Sequence, residues 1–130
     1  MLIRKAKVQD IPVIHGLISS ATQKGKILKR SAKDIRKSVR HFWVAEENGR
    51  VFACCAIEVY SKKLAEVRSL VVDPKRQGKG LASHLVEHCL GLARKKRIYE
   101  VLAITDRENL FKRLGFSEQL HGQKALFMRP

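Results

Sequence analysis

Glu66-Val67-Arg68-Ser69-Leu70-Val71-Val72-Asp73-Pro74-Lys75-Arg76-Gln77-Gly78-Lys79-Gly80-Leu81-Ala82 is the stretch on which the reading of this sequence turns. Its first half is an apolar run with the period-2 alternation of a strand, from about Leu64 to Val72, and Asp73-Pro74 stops it because proline cannot donate to a ladder. Beyond the turn the period changes. Leu81, Leu85, Cys89 and Leu92, widened by Val86, Leu90 and Ala93, form the stripe of a helix packed on a sheet. A strand therefore feeds a glycine-containing basic turn that becomes the first turn of a long helix. The amides there lack intrahelical partners and lie at the positive end of the helix dipole, an arrangement suited to a pyrophosphate. Counting rejects two commoner glycine motifs. A P-loop would need glycine where Asp73 stands and Ser or Thr where Gly80 stands, and a dinucleotide fingerprint would need Gly or Ala in place of Ser83.

Working outward, Leu2-Ile3-Arg4-Lys5-Ala6 reads as an opening strand, and Asp10 as the N-cap of a first helix carrying Ile11, Ile14, Leu17 and Ile18 and ending near Gly25. Ser31 caps a second, very basic helix with Ile35 and Val39 on one face. Phe42-Trp43-Val44-Ala45 and Val51–Ile57 flank Asn48-Gly49, a hairpin signal. After the long helix come a buried strand from Tyr99 to Ile104, a short helix from Arg107 to Leu114 closed by Gly115, and a final strand or hairpin through Ala125-Leu126-Phe127-Met128. The expected order is β-α-α-β-β-β-α-β-α-β with room for one more strand. With no repeat or linker, residues 1–130 read as one α+β domain, a mostly antiparallel mixed sheet with helices on both faces.

Composition sets bounds. At 130 residues and 45% hydrophobic content the chain can fill one core. No run approaches the ~18–20 apolar residues of a membrane span and no secretory signal is recognisable, so no membrane partner and a cytoplasmic location are expected. Cys54 and Cys55 are adjacent, pointing to opposite faces of a strand, and with Cys89 form an odd set that fits a reducing compartment. His84 and His88 lie one helical turn apart with no third ligand at a suggestive spacing, so no metal is expected. The net charge of +15 favours polyanions of any kind. No aromatic residues interleave with the basic runs, which argues against nucleic acid as the partner.

The pattern Gln/Arg-x-x-Gly-x-Gly/Ala, met by Gln77, Gly80 and Ala82 after an apolar strand and Asp-Pro, resembles the coenzyme A signature of the GNAT family of N-acetyltransferases. Leu110-Phe111-Lys112-Arg113-Leu114-Gly115-Phe116 resembles that family's closing helix-to-strand segment, so the likeness spans nearly the whole chain. The resemblance implies the GNAT fold and a sheet split open between the strand ending at Val72 and the strand starting at Tyr99. It implies acetyl-CoA as co-substrate, bound by Leu70, Val71, Val72, Gln77, Gly78, Lys79, Gly80, Leu81, Ala82 and Ser83. It implies Glu66 as general base, with an ion pair to Arg68 as the structural alternative, and a backbone N–H at Leu70 facing the thioester carbonyl. Phe111 stands where many relatives have a tyrosine as general acid, so no general acid is assigned.

Within the family, Lys26-Ile27-Leu28-Lys29-Arg30-Ser31, Phe42-Trp43-Val44-Ala45-Glu46 and Glu66-Val67-Arg68 are similar to the acetyltransferase module of N-acetylglutamate synthases. That implies a small-molecule acceptor, the α-amino group of glutamate or a similar amino acid in arginine biosynthesis. Guanidinium groups suit a carboxylate, which makes Arg30 and Arg68, with Lys29 behind them, the expected substrate-binding residues. The subgroup often has an arginine where this chain has Asp106, with Arg107 beside it. A peptide or protein N-acetyltransferase and a non-catalytic module binding coenzyme A or RNA are the competing expectations, and a homodimer is left open.

Overall fold

The computed structural model describes residues 1–23, 25 and 29–130. The Lys26-Ile27-Leu28 portion of the acceptor motif, and Lys24, lie outside the described residues. Strand β1 (Leu2–Lys5) leads through a 3-10 turn into α1 (Ile11–Gln23), and α2 (Ala32–Lys37) follows. Then come β2 (Phe42–Glu47), β3 (Arg50–Val59), β4 (Leu64–Val72), α3 (Leu81–Lys95), β5 (Glu100–Ala103), α4 (Glu108–Arg113), β6 (Gln119–Leu120) and β7 (Gln123–Lys124). The sheet runs in sequence order β1 to β5, antiparallel as far as β4 and parallel between β4 and β5, while β6 and β7 form a separate hairpin.

Each face of the sheet carries its own core. Ala45, Ala53, Cys55, Ile57, Ala65, Val67 and Val72 pack under Leu81, Leu85, Val86, Cys89 and Leu90 of α3 and under Leu110 and Phe111 of α4. Val44, Cys54, Ala56 and Val71 pack on the other face under Ile11, Ile14, Ile18 and Ile35 from α1 and α2. The adjacent cysteines therefore do point to opposite faces, as strand geometry requires. The helical stripe read from Leu81 onward is the buried face of α3. Asn48 and Gly49, at φ +53° and +77°, make the expected β2–β3 turn.

Three expectations are corrected. Asp10 does not cap α1 but closes the preceding 3-10 turn. Its carboxylate accepts the Lys7 N–H at 2.7 Å and both terminal nitrogens of Arg4 at 2.8 and 3.1 Å. The strand after α3 is shorter than Tyr99–Ile104 and only half-buried, because it lies at the edge of the sheet with Tyr99 and Ile104 exposed. Ala125 to Met128 form no strand, and Leu126, Phe127 and Met128 are 89, 72 and 78% exposed. Apolarity alone suggested a strand there, but none of β1 to β5 takes it as a neighbour.

Candidate active site

Strands β4 and β5 pair only over Leu64–Val67 against Glu100–Ala103. Beyond Val67, β4 continues for five more residues with no strand paired on that side among the described residues, which is the split that the sheet was expected to show. Within this unpaired half β4 carries a bulge. Ala56 of β3 faces Arg68 and Cys54 faces Val71, so Cys55 opposes both Ser69 and Leu70. Ser69 sits at φ +54°, the left-handed region, in the middle of a strand.

At the end of β4, Asp73 stops the strand and accepts the Lys75 N–H on its side chain at 3.0 Å. Gln77 is extended and its side-chain amide donates to the Val72 carbonyl at 3.3 Å. Gly78, Lys79 and Gly80 then follow at φ +100°, +61° and +71°. Gly80 is the N-cap of α3, and among the described residues no side chain caps the helix's first amides. A Cβ on Gly78 or Gly80 would meet no atom within 4 Å. The glycines therefore answer to backbone shape and to the open space in front of them, not to crowding from the protein. Arg76 flanks the turn, paired with Glu47 and lying 4.7 Å over the Phe52 ring.

On the α1/α2 side of the sheet, β4 presents Glu66 and Arg68, and β3 presents Glu58. Glu58 and Glu66 stand directly opposite each other, a like-charge pair that needs compensation. Each has found a separate donor. Arg68 bonds Glu58 at 2.5 Å, and the Tyr60 hydroxyl donates to Glu66 at 2.6 Å. The ion pair between Glu66 and Arg68 considered from strand alternation is thus replaced by these two contacts. Burial and the bond to Glu66 push the Tyr60 phenol up to about 12, so it remains a donor at neutral pH.

Arg30, expected as a carboxylate clamp, is only 5% exposed. Its Nε donates to Asp34 at 2.8 Å, one terminal nitrogen to Ser69 Oγ at 3.1 Å and the other to Ser38 Oγ at 3.1 Å, and its carbon lies 5.2 Å over the Phe42 ring. Lys29 is exposed and Arg68 half-buried. Phe111 is buried against Phe116 in an edge-to-face contact, with ring centroids 5.1 Å apart. Among the described residues no three His, Cys, Asp or Glu side chains are placed to hold a metal, and no helix is long and apolar enough to cross a membrane. His88 instead packs on Trp43, with ring centroids 4.9 Å apart.

Sequence reasoning passed over Tyr60, Glu58 and Ser69. The first two could have been found by extending the β3–β4 register back from the short Ser61–Lys63 connection. The bulge carries no sequence signal, since serine at positive φ is uncommon.

Residues 38–118, more than half of the chain, match the acetyltransferase (GNAT) domain. The amino-acid acetyltransferase of Mycobacterium tuberculosis is 34% identical over 121 residues, covering 90% of this chain and 68% of that protein. A Mycobacterium tuberculosis structure in complex with CoA and NLQ superposes with a TM-score of 0.87 at 30% identity, over 97% of this chain and 76% of that one. The N-acetylglutamate synthase of Neisseria gonorrhoeae complexed with coenzyme A and N-acetyl-glutamate superposes with a TM-score of 0.84 at 28% identity, over 89% of this chain. The chain spans 28% of that longer enzyme. A half-paired β4–β5, a positive-φ turn opening an uncapped helix, and these likenesses together place the chain in the GNAT family, as an acetyl-CoA-dependent N-acetyltransferase.

Proposed function

We propose that residues 1–130 form a single N-acetyltransferase domain that acetylates the α-amino group of a free amino acid, glutamate or a close analogue, as a step of arginine biosynthesis in the cytoplasm. The observation that carries the acceptor reading is the placement of a carboxylate, Glu66, and a guanidinium, Arg68, on one face of β4 beside the split, each bonded to a different neighbour. An amino acid offers the complementary pair, an amine and a carboxylate. Two of the similar structures are complexes with N-acetyl-glutamate and with NLQ, which supports the same class.

Acetyl-CoA supplies the acetyl group as a thioester. The amides from Gln77 to Ser83 hold its pyrophosphate, and the positive-φ run Gly78-Lys79-Gly80 suits close approach of an anion to the backbone. Val71 and Val72 lie along the pantetheine arm by their backbone. Glu66 takes the amine proton through a water, a contribution of about 10²–10⁴-fold, and Tyr60 orients its carboxylate. The amine nitrogen bonds the carbonyl carbon as the carbon–sulfur bond breaks, and Leu70 N–H meets the charge developing on the carbonyl oxygen. The sulfur departs as the thiolate, with no side chain assigned to protonate it. Lys29 and Arg68 receive the acceptor's carboxylates, and Arg30 stands beneath them with its bonds made inside the protein.

Free-thiol release from acetyl-CoA, measured with glutamate, glutamine, aspartate, lysine and short peptides, tests this reading. Turnover with a dicarboxylic amino acid or its amide supports it. Turnover with peptides alone moves the acceptor to a protein N-terminus, and binding of acetyl-CoA without turnover on any amine leaves a non-catalytic module.

A further inference from the structure

Ser69 poses a physical problem that β4 does not solve by itself. An L-residue at φ +54° inside a strand is in a disfavoured conformation, and a strand of alternating side chains is free to relax to regular pleat unless something prevents it. Relaxation is not innocuous here. Val71 belongs to the core under α1 and α2, and Val72 to the core under α3, so removing the extra residue would turn both to the wrong faces. Two side chains hold the bulge. Cys54 Sγ donates to the Ser69 carbonyl at 3.4 Å, and Arg30 donates to Ser69 Oγ at 3.1 Å from a position 39 residues away in sequence.

Arg30 is itself immobilised. Asp34 takes its Nε–H, Ser38 takes a terminal N–H, the Phe42 ring supports its plane, and Ser38 Oγ in turn donates to the Asp34 carbonyl at 3.4 Å. Helix α2, capped by Ser31 through the Asp34 N–H at 3.0 Å, supplies Asp34, and its C-cap residue supplies Ser38. A guanidinium distributes donors in a fixed planar fork, which an ammonium cannot reproduce. A guanidinium only 5% exposed and bonded to three side chains is well placed to hold structure, and one of the three belongs to Ser69, the residue next to Leu70.

We propose that Arg30 is a positioning residue of the acetyl-transfer step, which by gripping Ser69 Oγ fixes the β4 bulge so that the Leu70 N–H stays aimed at the thioester carbonyl. The proposal deepens the site reading above and rests on Leu70 as the donor to that oxygen. Its role is then felt at the carbonyl and not at the pyrophosphate, which lies on another segment of chain.

The test is the infrared carbonyl band of acetyl-CoA labelled with ¹³C at the thioester carbon, bound to wild-type, Ser69→Ala, Ser69→Gly and Arg30→Lys proteins, beside calorimetric affinities for CoA and acetyl-CoA. None of these needs the acceptor to be known. The wild type is expected to shift the bound band to lower wavenumber. Ser69→Ala, which removes only the gripped oxygen, is expected to return it most of the way to the free position while CoA affinity stays within about threefold. Arg30→Lys should do the same, and where that variant melts early the two Ser69 variants decide. A wild-type band in folded Ser69→Ala and Ser69→Gly overturns the proposal. A wild-type protein that binds acetyl-CoA without shifting the band overturns Leu70 as the donor and the proposal with it. Failure of the wild type to bind CoA at all strikes the cofactor reading instead, before any variant is compared.

Discussion

Gly80→Ala separates a turn shaped for an anion from a turn shaped by packing. Gly80 sits at φ +71°, ψ 13°, and an added Cβ would meet nothing within 4 Å, so the substitution creates no clash in the protein. What remains is the cost of holding an L-residue in the left-handed region, about 1–2 kcal/mol. That cost appears in one of two places. If the turn keeps its shape, stability falls, by about 3–10 °C of melting temperature for a domain of this size. If the turn relaxes, the amides swing away and affinity for CoA falls by about 5–30-fold, since ~1.4 kcal/mol is tenfold. A methyl group that obstructs the phosphates adds to the second outcome. Gly91→Ala is the internal control. Gly91 lies within α3 on its exposed side, is not among the positive-φ glycines, and its Cβ would also meet nothing, so alanine there should stabilise by about 0.5–1 kcal/mol. Thermal melts and calorimetry with CoA read both quantities on the same samples. A Gly80→Ala protein with unchanged melting temperature and unchanged CoA affinity would refute the assignment of a strained, ligand-facing turn.

Arg68→Ala should raise the KM for a carboxylate-bearing acceptor by about 10–100-fold with little change in the KM for acetyl-CoA, the weight of one charged hydrogen-bonding group; equal effects on both substrates would remove Arg68 from the acceptor side. Glu66→Gln should lower kcat by about 10²–10⁴-fold with little change in the affinity for acetyl-CoA, whereas a Glu66 that only holds Tyr60 would leave kcat nearly unchanged. The bonds to Arg4 and Arg30 hold the Asp10 and Asp34 carboxyls below their ordinary value of 3.8. Their stabilisation is therefore complete above that value and lost as pH falls through the depressed folded values, and Arg4→Gln should shift the acid-unfolding midpoint upward in a circular-dichroism titration. All three thiols are fully buried, and burial pushes Cys54 up to about 12, so a thiol reagent should modify none of them in native protein and all three in denaturant.

Helix α3, the Asn48-Gly49 turn and the strand-to-helix stretch were legible because each rests on local periodicity or on a residue type tied to one backbone conformation. The antiparallel pairing of β2 with β3 followed from the tight turn between them. The interior of the site was not legible in the same way. Arg30 looks in sequence like one cation in a basic run, and only the tertiary structure shows it buried between α2 and β4. The bulge at Ser69 is invisible to alternation, which carries straight through Arg68-Ser69-Leu70. Tyr60 reads as an ordinary strand end until the register places it over Glu66. Asp10 failed for a different reason, since an acid before a helix fits two adjacent capping positions equally well and Arg4 decided between them.

Among the described residues the outer edge of β5 has no strand beside it, and near the end of the sequence three large apolar side chains stand in solvent at Leu126, Phe127 and Met128. Edges and bare apolar segments are adhesive, and nature usually keeps them apart by charge. Here that charge is the chain-wide +15, whose reach shrinks to about 8 Å at physiological ionic strength. Salt that weakens the grip on a phosphorylated ligand therefore also screens the repulsion between copies, and light scattering should rise with ionic strength as CoA affinity falls.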